Sequence, residues 1–141
     1  MSQEETFVEM KESRSDVTVW EYNGFTFELD VGDADTAEHI EGVFDRFSKA
    51  EKRVKRDGSM KEIIISYDKL FRDMFDDMFG TGAGDDILGE KRSIKNCNAA
   101  YESFLDFINA QRENFAEQNA MLNAKYNGNR VQRRTTAKNS R

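Results

Sequence analysis

The clearest pattern along the chain is an alternation of apolar and polar positions between residues 17 and 31. Asn23-Gly24 lies at its centre, and these residue types accept the positive φ angles of a type I′ turn at low cost. Such a turn pairs Trp20 with Phe27. One face of the predicted hairpin is apolar and consists of Thr18, Trp20, Tyr22, Phe25, Phe27 and Leu29. Since an isolated hairpin is only marginally stable, this face must pack on helices or on another sheet.

Apolar residues repeat at helical spacing after the hairpin and predict a first helix. Asp35 and Glu38 stand three residues apart, as in a capping box, so the helix is predicted to start at Asp35. Asp57-Gly58 is predicted to end it. The apolar positions of this helix are Ala37, Ile40, Val43, Phe44, Phe47, Ala50 and Val54.

A capping box formed by Ser59 and Glu62 predicts the start of a second helix, which ends before the glycine-rich residues 80–84. Its apolar face is wide and contains Met60, Ile63, Ile64, Tyr67, Leu70, Phe71, Met74, Phe75, Met78 and Phe79. Such a face suits a central core helix, which is the favoured interpretation. It also suits a helix that binds a partner protein.

The last helix is predicted to begin after Ser93, following a single helical turn over residues 85–89. Its apolar stripe consists of Ile94, Cys97, Tyr101, Phe104, Leu105, Ile108, Phe115, Leu122 and Tyr126. From Gln111 onward the stripe becomes more polar, so this end either projects into solvent or requires a partner. Asn127-Gly128 is predicted to end the helix.

These patterns predict a mainly α protein with a small N-terminal β-hairpin, an α+β fold in which the hairpin packs on about three helices. Residues 1–15 are predicted to be a disordered acidic lead, and residues 16–126 a single domain of hairpin and helices. Residues 127–141 are predicted to be a basic flexible tail. Proline is absent from the whole chain, so no helix is interrupted by one.

The net charge of −6 is unevenly distributed. None of the 27 acids follows Glu117, whereas five of the 21 cations lie in residues 127–141. The chain is thus an acidic body with a basic tail. A single cysteine argues for a reducing compartment. The polar N-terminus lacks the apolar core of a signal peptide, and no stretch approaches the ~20 apolar residues that span a bilayer. We therefore expect a soluble cytoplasmic protein with no membrane partner.

No residue pattern indicates catalysis, and we expect neither an enzyme nor a bound cofactor. His39 is the only histidine, and no second histidine or cysteine stands at metal-ligand spacing, so no metal site is predicted. Cys97 lies on the apolar stripe of the last helix and is predicted to be a buried thiol. Residues 80–84 follow a helix and lack the Lys-Ser/Thr of a phosphate-binding loop, so a flexible connector is predicted.

Five acids lie on the second helix or just after the glycine-rich loop that ends it: Asp73, Asp76, Asp77, Asp85 and Asp86. Such a group could hold a calcium ion or imitate the phosphates of DNA. The order of acids and glycine that defines an EF-hand is absent. A solvated helix face is the favoured interpretation.

Three segments resemble small proteins encoded in the tail modules of phages that infect Gram-positive bacteria, proteins similar in size and helical content to tail assembly chaperones. The segments are FTFELDVGDAD at residues 25–35, FDDMFGTG at residues 75–82 and NRVQRR at residues 129–134. The resemblance covers roughly residues 20–134, and the acidic lead before Ser15 is not part of it.

The resemblance implies a chaperone in the cytoplasm of the host bacterium. It would coat the tape measure protein, keep it soluble, self-associate, and leave as tube subunits such as the major tail protein arrive. Apolar patches on the second and last helices would bind helical seams of this client. The residues expected to bind a partner are Tyr67, Phe71, Met74, Phe75, Met78, Phe79, Arg130, Arg133 and Arg134.

The charge distribution leaves two alternatives. The acidic body suits an inhibitor that mimics DNA, and the arginines of the tail suit an RNA-binding regulator. Because the acidic body would repel phosphates, nucleic acid is not an expected partner of the chaperone.

Overall fold

The computed structural model describes residues 18–139, with side chains for residues 18–122 and 124. It is the mainly helical α+β fold that the sequence predicts. The predicted lead at residues 1–15 lies outside the described residues. In chain order the elements are β1 (Val19–Tyr22), β2 (Phe25–Glu28), α1 (Ala34–Glu51), α2 (Met60–Phe79), α3 (Ala83–Leu88) and α4 (Ile94–Asn139).

The hairpin forms in the predicted register, with Trp20 opposite Phe27. Asn23 and Gly24 have φ angles of 53° and 81°, as a type I′ turn requires. Trp20 is buried at the centre of the apolar face, but Phe25 is exposed. The predicted apolar face therefore packs on the body around Trp20 but not at Phe25, which follows the turn directly at the end of the hairpin.

The first helix is capped by a different aspartate from the one predicted. The Asp33 carboxylate accepts a hydrogen bond from the Thr36 backbone N–H at 3.0 Å, and α1 begins at Ala34. This bond holds the pKa of Asp33 below its ordinary value. The helix also ends at Glu51, earlier than the predicted Asp57-Gly58. After it, the Val54 N–H donates to the Glu51 carbonyl oxygen, three residues back instead of four, and the Val54 side chain is buried.

The second helix has the predicted bounds. The Ser59 hydroxyl accepts from the Glu62 backbone N–H at 3.2 Å, and Gly80 ends the helix with a φ of 110°. The reciprocal half of the capping box is replaced by an ion pair, because the Glu62 carboxylate lies 2.7 Å from the Lys55 ammonium.

The core is an aromatic cluster built around Trp20. Its ring lies 5.9 Å from that of Phe75 on α2 and 5.3 Å from that of Phe104 on α4, so it joins the hairpin to both helices. The short helix α3 packs on α2 at a close approach, since a Cβ at Gly84 would lie 2.5 Å from the Arg72 carbonyl oxygen.

The last helix is longer than predicted. The Ser93 hydroxyl accepts from the Asn96 backbone N–H at its start. The helix then runs for 46 residues to Asn139, roughly 69 Å at 1.5 Å per residue. The predicted end at Asn127-Gly128 is wrong. A glycine inside a helix costs only about 1 kcal/mol relative to alanine, too little to stop a helix that no proline interrupts.

Candidate functional site: the projecting half of the last helix

The predicted partner-binding face of α2 lies in the core. Four of its residues are buried and two are half-buried against the same cluster; the six are Tyr67, Phe71, Met74, Phe75, Met78 and Phe79. The face is wide because α1, α3 and α4 all contact α2. The structure thus agrees with the favoured interpretation of α2 as a core helix. Binding of a partner by the same six residues stays a prediction.

The largest exposed apolar side chains lie elsewhere. Phe115, Met121 and Leu122 on α4 are 60%, 65% and 65% exposed, and two more, Met60 and Phe25, are exposed at separate places. No side chain from residue 112 to residue 122 is buried. We call residues 112–139 of α4 the projecting half. The predicted binding residues Arg130, Arg133 and Arg134 belong to its helical backbone, and their side chains lie outside the described set.

Gln111 is the residue at which α4 leaves the body. Its side chain is buried, its amide nitrogen donates to the Leu29 carbonyl oxygen at 2.8 Å, and its amide oxygen accepts from the Val31 N–H at 3.0 Å. These bonds fasten α4 to the segment that joins the hairpin to α1. About two turns earlier on α4, the Ser103 hydroxyl accepts a hydrogen bond from the Trp20 indole N–H at 3.1 Å, which ties the helix to the hairpin.

A cleft of about 350 Å³ lies beside Phe115, where the start of α1 meets α4. Its lining includes Val31, Asp33, Ala37, Gln111, Arg112 and Phe115. Gln111 is the one buried polar side chain in this lining, and its amide nitrogen and oxygen are both engaged with the backbone. The cleft therefore suits an apolar side chain of another protein better than a polar small molecule, which needs convergent polar groups.

A buried charge pair connects α2 to the segments around it. The Arg72 guanidinium lies 2.6 Å from the Asp68 carboxylate and 3.0 Å from that of Asp85. The hydrogen bond that the Arg72 guanidinium donates to the Asp68 carboxylate raises the pKa of Arg72. Cys97 is buried, as predicted, and its thiol lies beside Asp68. Burial is the main cause that raises the pKa of this thiol to about 11, and the negative charge of the Asp68 carboxylate is the second. A thiol with that pKa is a poor nucleophile at neutral pH.

Three acids of the predicted group form ion pairs with cations of this chain: Asp73, Asp77 and Asp85. Asp73 pairs with Lys69 at 2.6 Å and Asp77 with Arg46 at 2.7 Å. The Asp76 carboxylate accepts from the Gly84 backbone N–H at 2.7 Å, which docks α3 on α2. These acids serve the fold, as ion pairs and as a hydrogen-bond acceptor.

The described residues include no cluster of three or more histidine, cysteine or acidic side chains arranged to hold a metal ion. His39 contacts the end of α2 instead, with its Nε2 3.1 Å from the Met78 carbonyl oxygen. Within the same described part of the chain, no helix is long and apolar enough to cross a membrane.

The fold and its surface define the class: a helical α+β protein whose last helix carries exposed apolar residues beyond the body. Residues 23–137 match the model of a family described as "Family of unknown function (DUF6673)", and the chain belongs to this family. No curated protein and no solved structure matches the chain.

Proposed function

We propose that this protein is a tail assembly chaperone of a phage, and that it binds the tape measure protein through the projecting half of α4. The observation that carries the proposal is the exposure of Phe115, Met121 and Leu122 on a helix that extends past its own core. The link to phage tails comes from the resemblance of residues 25–35, 75–82 and 129–134.

A single helix with a partly apolar stripe gains little stability in water, because most helical stability in proteins comes from packing of the apolar face. Phe115 and Leu122 are seven residues apart and so lie near one face of α4. An apolar seam on a client helix would cover both, in the manner of helix recognition by apolar anchors. The cleft beside Phe115 gives one client side chain a place to insert.

The charge of the chain supports the chaperone role in a second way. Its 27 acids exceed its 21 cations, so complexes coated with many copies repel one another and stay dispersed. Many weak contacts along a long client also permit release when tube subunits replace them.

Support for an inhibitor that mimics DNA is weaker. Asp73, Asp77 and Asp85 are exposed or partly exposed, but each already forms an ion pair with a cation of this chain, and that pair lowers the negative charge they present to a target.

The test is coexpression with the tape measure protein of the same tail module, measuring how much of that client stays soluble. The variants Phe115→Glu and Leu122→Glu should lower the soluble fraction, because a carboxylate on this stripe cannot be covered by an apolar seam. Met60→Glu is the matched control, since Met60 is 70% exposed but lies at the start of α2. Circular dichroism should show all three variants folded. Equal client solubility with all of them would overturn the proposal.

A further inference from the structure

The end of the body at which α1 ends and α2 and α4 begin is basic, although the chain as a whole is acidic. We call residues 51–62 and 90–95 the basic end, because they contain eight cations and only four acids. The N-termini of α2 and α4 lie in these segments, and their helix dipoles add positive potential. The eight cations are Lys52, Arg53, Lys55, Arg56, Lys61, Lys91, Arg92 and Lys95.

Most of these cations form no ion pair within the part of the chain whose side chains are described. There, the ion-paired cations are Arg46, Lys49, Lys55, Lys69 and Arg72. The seven other cations of the basic end are all exposed. Among the described side chains outside this end, Arg112 is the one cation without an ion pair. The fold therefore leaves its unpaired positive charge at one place, where an acidic segment can reach it.

A cleft lies within the basic end. The Lys55 N–H donates to the Ser66 hydroxyl at 3.0 Å, which places the segment after α1 along the start of α2. Also beside α2, Lys61 and Arg92 line a single cleft of about 480 Å³, whose other lining residues are Ile64, Ile65 and Glu90. Both isoleucines are half-buried. An occupant of this cleft should combine acidic groups for the two cations with an apolar side chain for the isoleucines.

We propose that the acidic lead of the same chain occupies this cleft with residues 4–9. These residues have the sequence EETFVE, in which three acids flank the apolar Phe7 and Val8 and no cation is present. The two cations of the lead, Lys11 and Arg14, follow this segment. A lead bound there covers positive charge that would otherwise attract the acidic surfaces of other copies.

The lead is long enough to reach the cleft. Thr18 is the first described residue, and the strand from Thr18 to the turn at Asn23 covers roughly 17 Å. Asn23 adjoins Gly89, since a Cβ on Gly89 would lie 3.9 Å from the Asn23 amide nitrogen. The next residue, Glu90, lines the cleft. Residues 4–9 precede Thr18 by nine to fourteen positions, which is an extended reach of roughly 30–45 Å.

Tethering favours the lead over other anionic partners. A segment linked to its site acts at an effective concentration on the order of millimolar, so an unattached acidic peptide competes poorly. Nucleic acid fits less well, because the basic end contains no aromatic residue on which bases could stack. A long strand would also extend over the acidic remainder of the body, which repels phosphates. The inference does not rest on the proposed function.

A nitroxide label on Thr6→Cys in the full chain tests the contact. The native Cys97 is buried, with a raised pKa, and should stay unlabelled. In NMR spectra the label should broaden the backbone amide signals of Ile64, Ile65 and Arg92. Added salt should reduce this broadening because it screens the charges. No broadening at these residues, or broadening centred elsewhere on the body, would overturn the proposal.

Charge variants identify the groups that hold the lead. Arg92→Glu should remove most of the broadening at Ile64 and Ile65, because the new carboxylate repels the acids of the lead. Arg112→Glu is the matched control, since it reverses an exposed, unpaired cation outside the basic end, and it should leave the broadening unchanged. Circular dichroism should show both variants folded. Equal losses of broadening in the two variants would overturn the proposal.

A mixed sample distinguishes binding within one chain from binding between copies. Isotope-labelled chains without nitroxide are combined with nitroxide-labelled chains without isotope. Broadening in this mixture as strong as in the doubly labelled chain would mean that the lead binds another copy, and would overturn docking on its own chain. Loss of the broadening on addition of an equimolar short single-stranded DNA would assign the basic end to nucleic acid, with the same consequence. We expect broadening within one chain that persists in the presence of the DNA.

Discussion

The Gln111 side chain donates a hydrogen bond to the Leu29 carbonyl oxygen across a sequence separation of 82 residues. The same amide accepts from the Val31 N–H, so one side chain replaces the strand partner that this segment lacks after the hairpin. The bond sets the point at which α4 leaves the body, and thereby which part of its apolar stripe is exposed.

We predict that Gln111→Leu destabilises the fold by about 1–3 kcal/mol, because it leaves a buried carbonyl and a backbone N–H without partners. Urea unfolding monitored by Trp20 fluorescence measures the change. The matched control is Gln118→Leu, the same substitution at an exposed position two turns later, which should change the stability by less than about 0.5 kcal/mol. Equal effects would mean that the Gln111 bonds contribute nothing.

Phe75→Ala should destabilise the protein by about 3–5 kcal/mol, because the ring is fully buried against Trp20 and Phe104. Thermal unfolding followed by circular dichroism measures it. Phe115→Ala removes the same ring from an exposed site and should cost less than about 0.5 kcal/mol in the monomer. Charged residues at Phe71, Phe75 or Met78 should unfold the chain.

Gly84→Ala should loosen α3 from α2. The added methyl group would lie 2.5 Å from the Arg72 carbonyl oxygen, a backbone atom that cannot move aside alone. We expect a loss of about 1–3 kcal/mol, as for other overpacked sites, measured by urea unfolding. Gly42→Ala in α1 is the contrasting substitution, because its nearest neighbour is the flexible Arg46 side chain, and it should stabilise by about 0.5–1 kcal/mol. Similar losses from both substitutions would contradict the close α2–α3 approach.

Cys97 should make stability depend on pH in the alkaline range. Its folded pKa of about 11 exceeds the ordinary value of 9.0, so the folded state keeps the proton that the unfolded state loses. The contribution is complete below about pH 9 and is lost as the pH rises towards 11. Urea unfolding at pH 8 and pH 10.5 should show a larger loss for the natural chain than for Cys97→Ala. Tyr101, whose pKa burial also raises, is present in both proteins and cancels in the comparison.

Local chemistry made the hairpin and the starts of two helices predictable. The Asn23-Gly24 turn fixed the register of Trp20 and Phe27, since only a few residue types accept its φ angles. Ser59 and Ser93 were identified as caps because their hydroxyls act within one turn of the chain. The prediction of Asp35 as the cap of the first helix was wrong, because the chain is still extended at Asp33, and the Asp33 carboxylate accepts from the Thr36 N–H.

The sequence by itself determined the hairpin, the order of the elements and the starts of the second and last helices, since each follows from contacts between residues close in the chain. Only the tertiary structure decided which apolar residues are covered. Phe75 and Phe115 look alike in a helical pattern, yet one is fully buried and the other 60% exposed. Burial depends on what other segments reach a position, and Gln111, held by a loop 80 residues away, is where that cover ends.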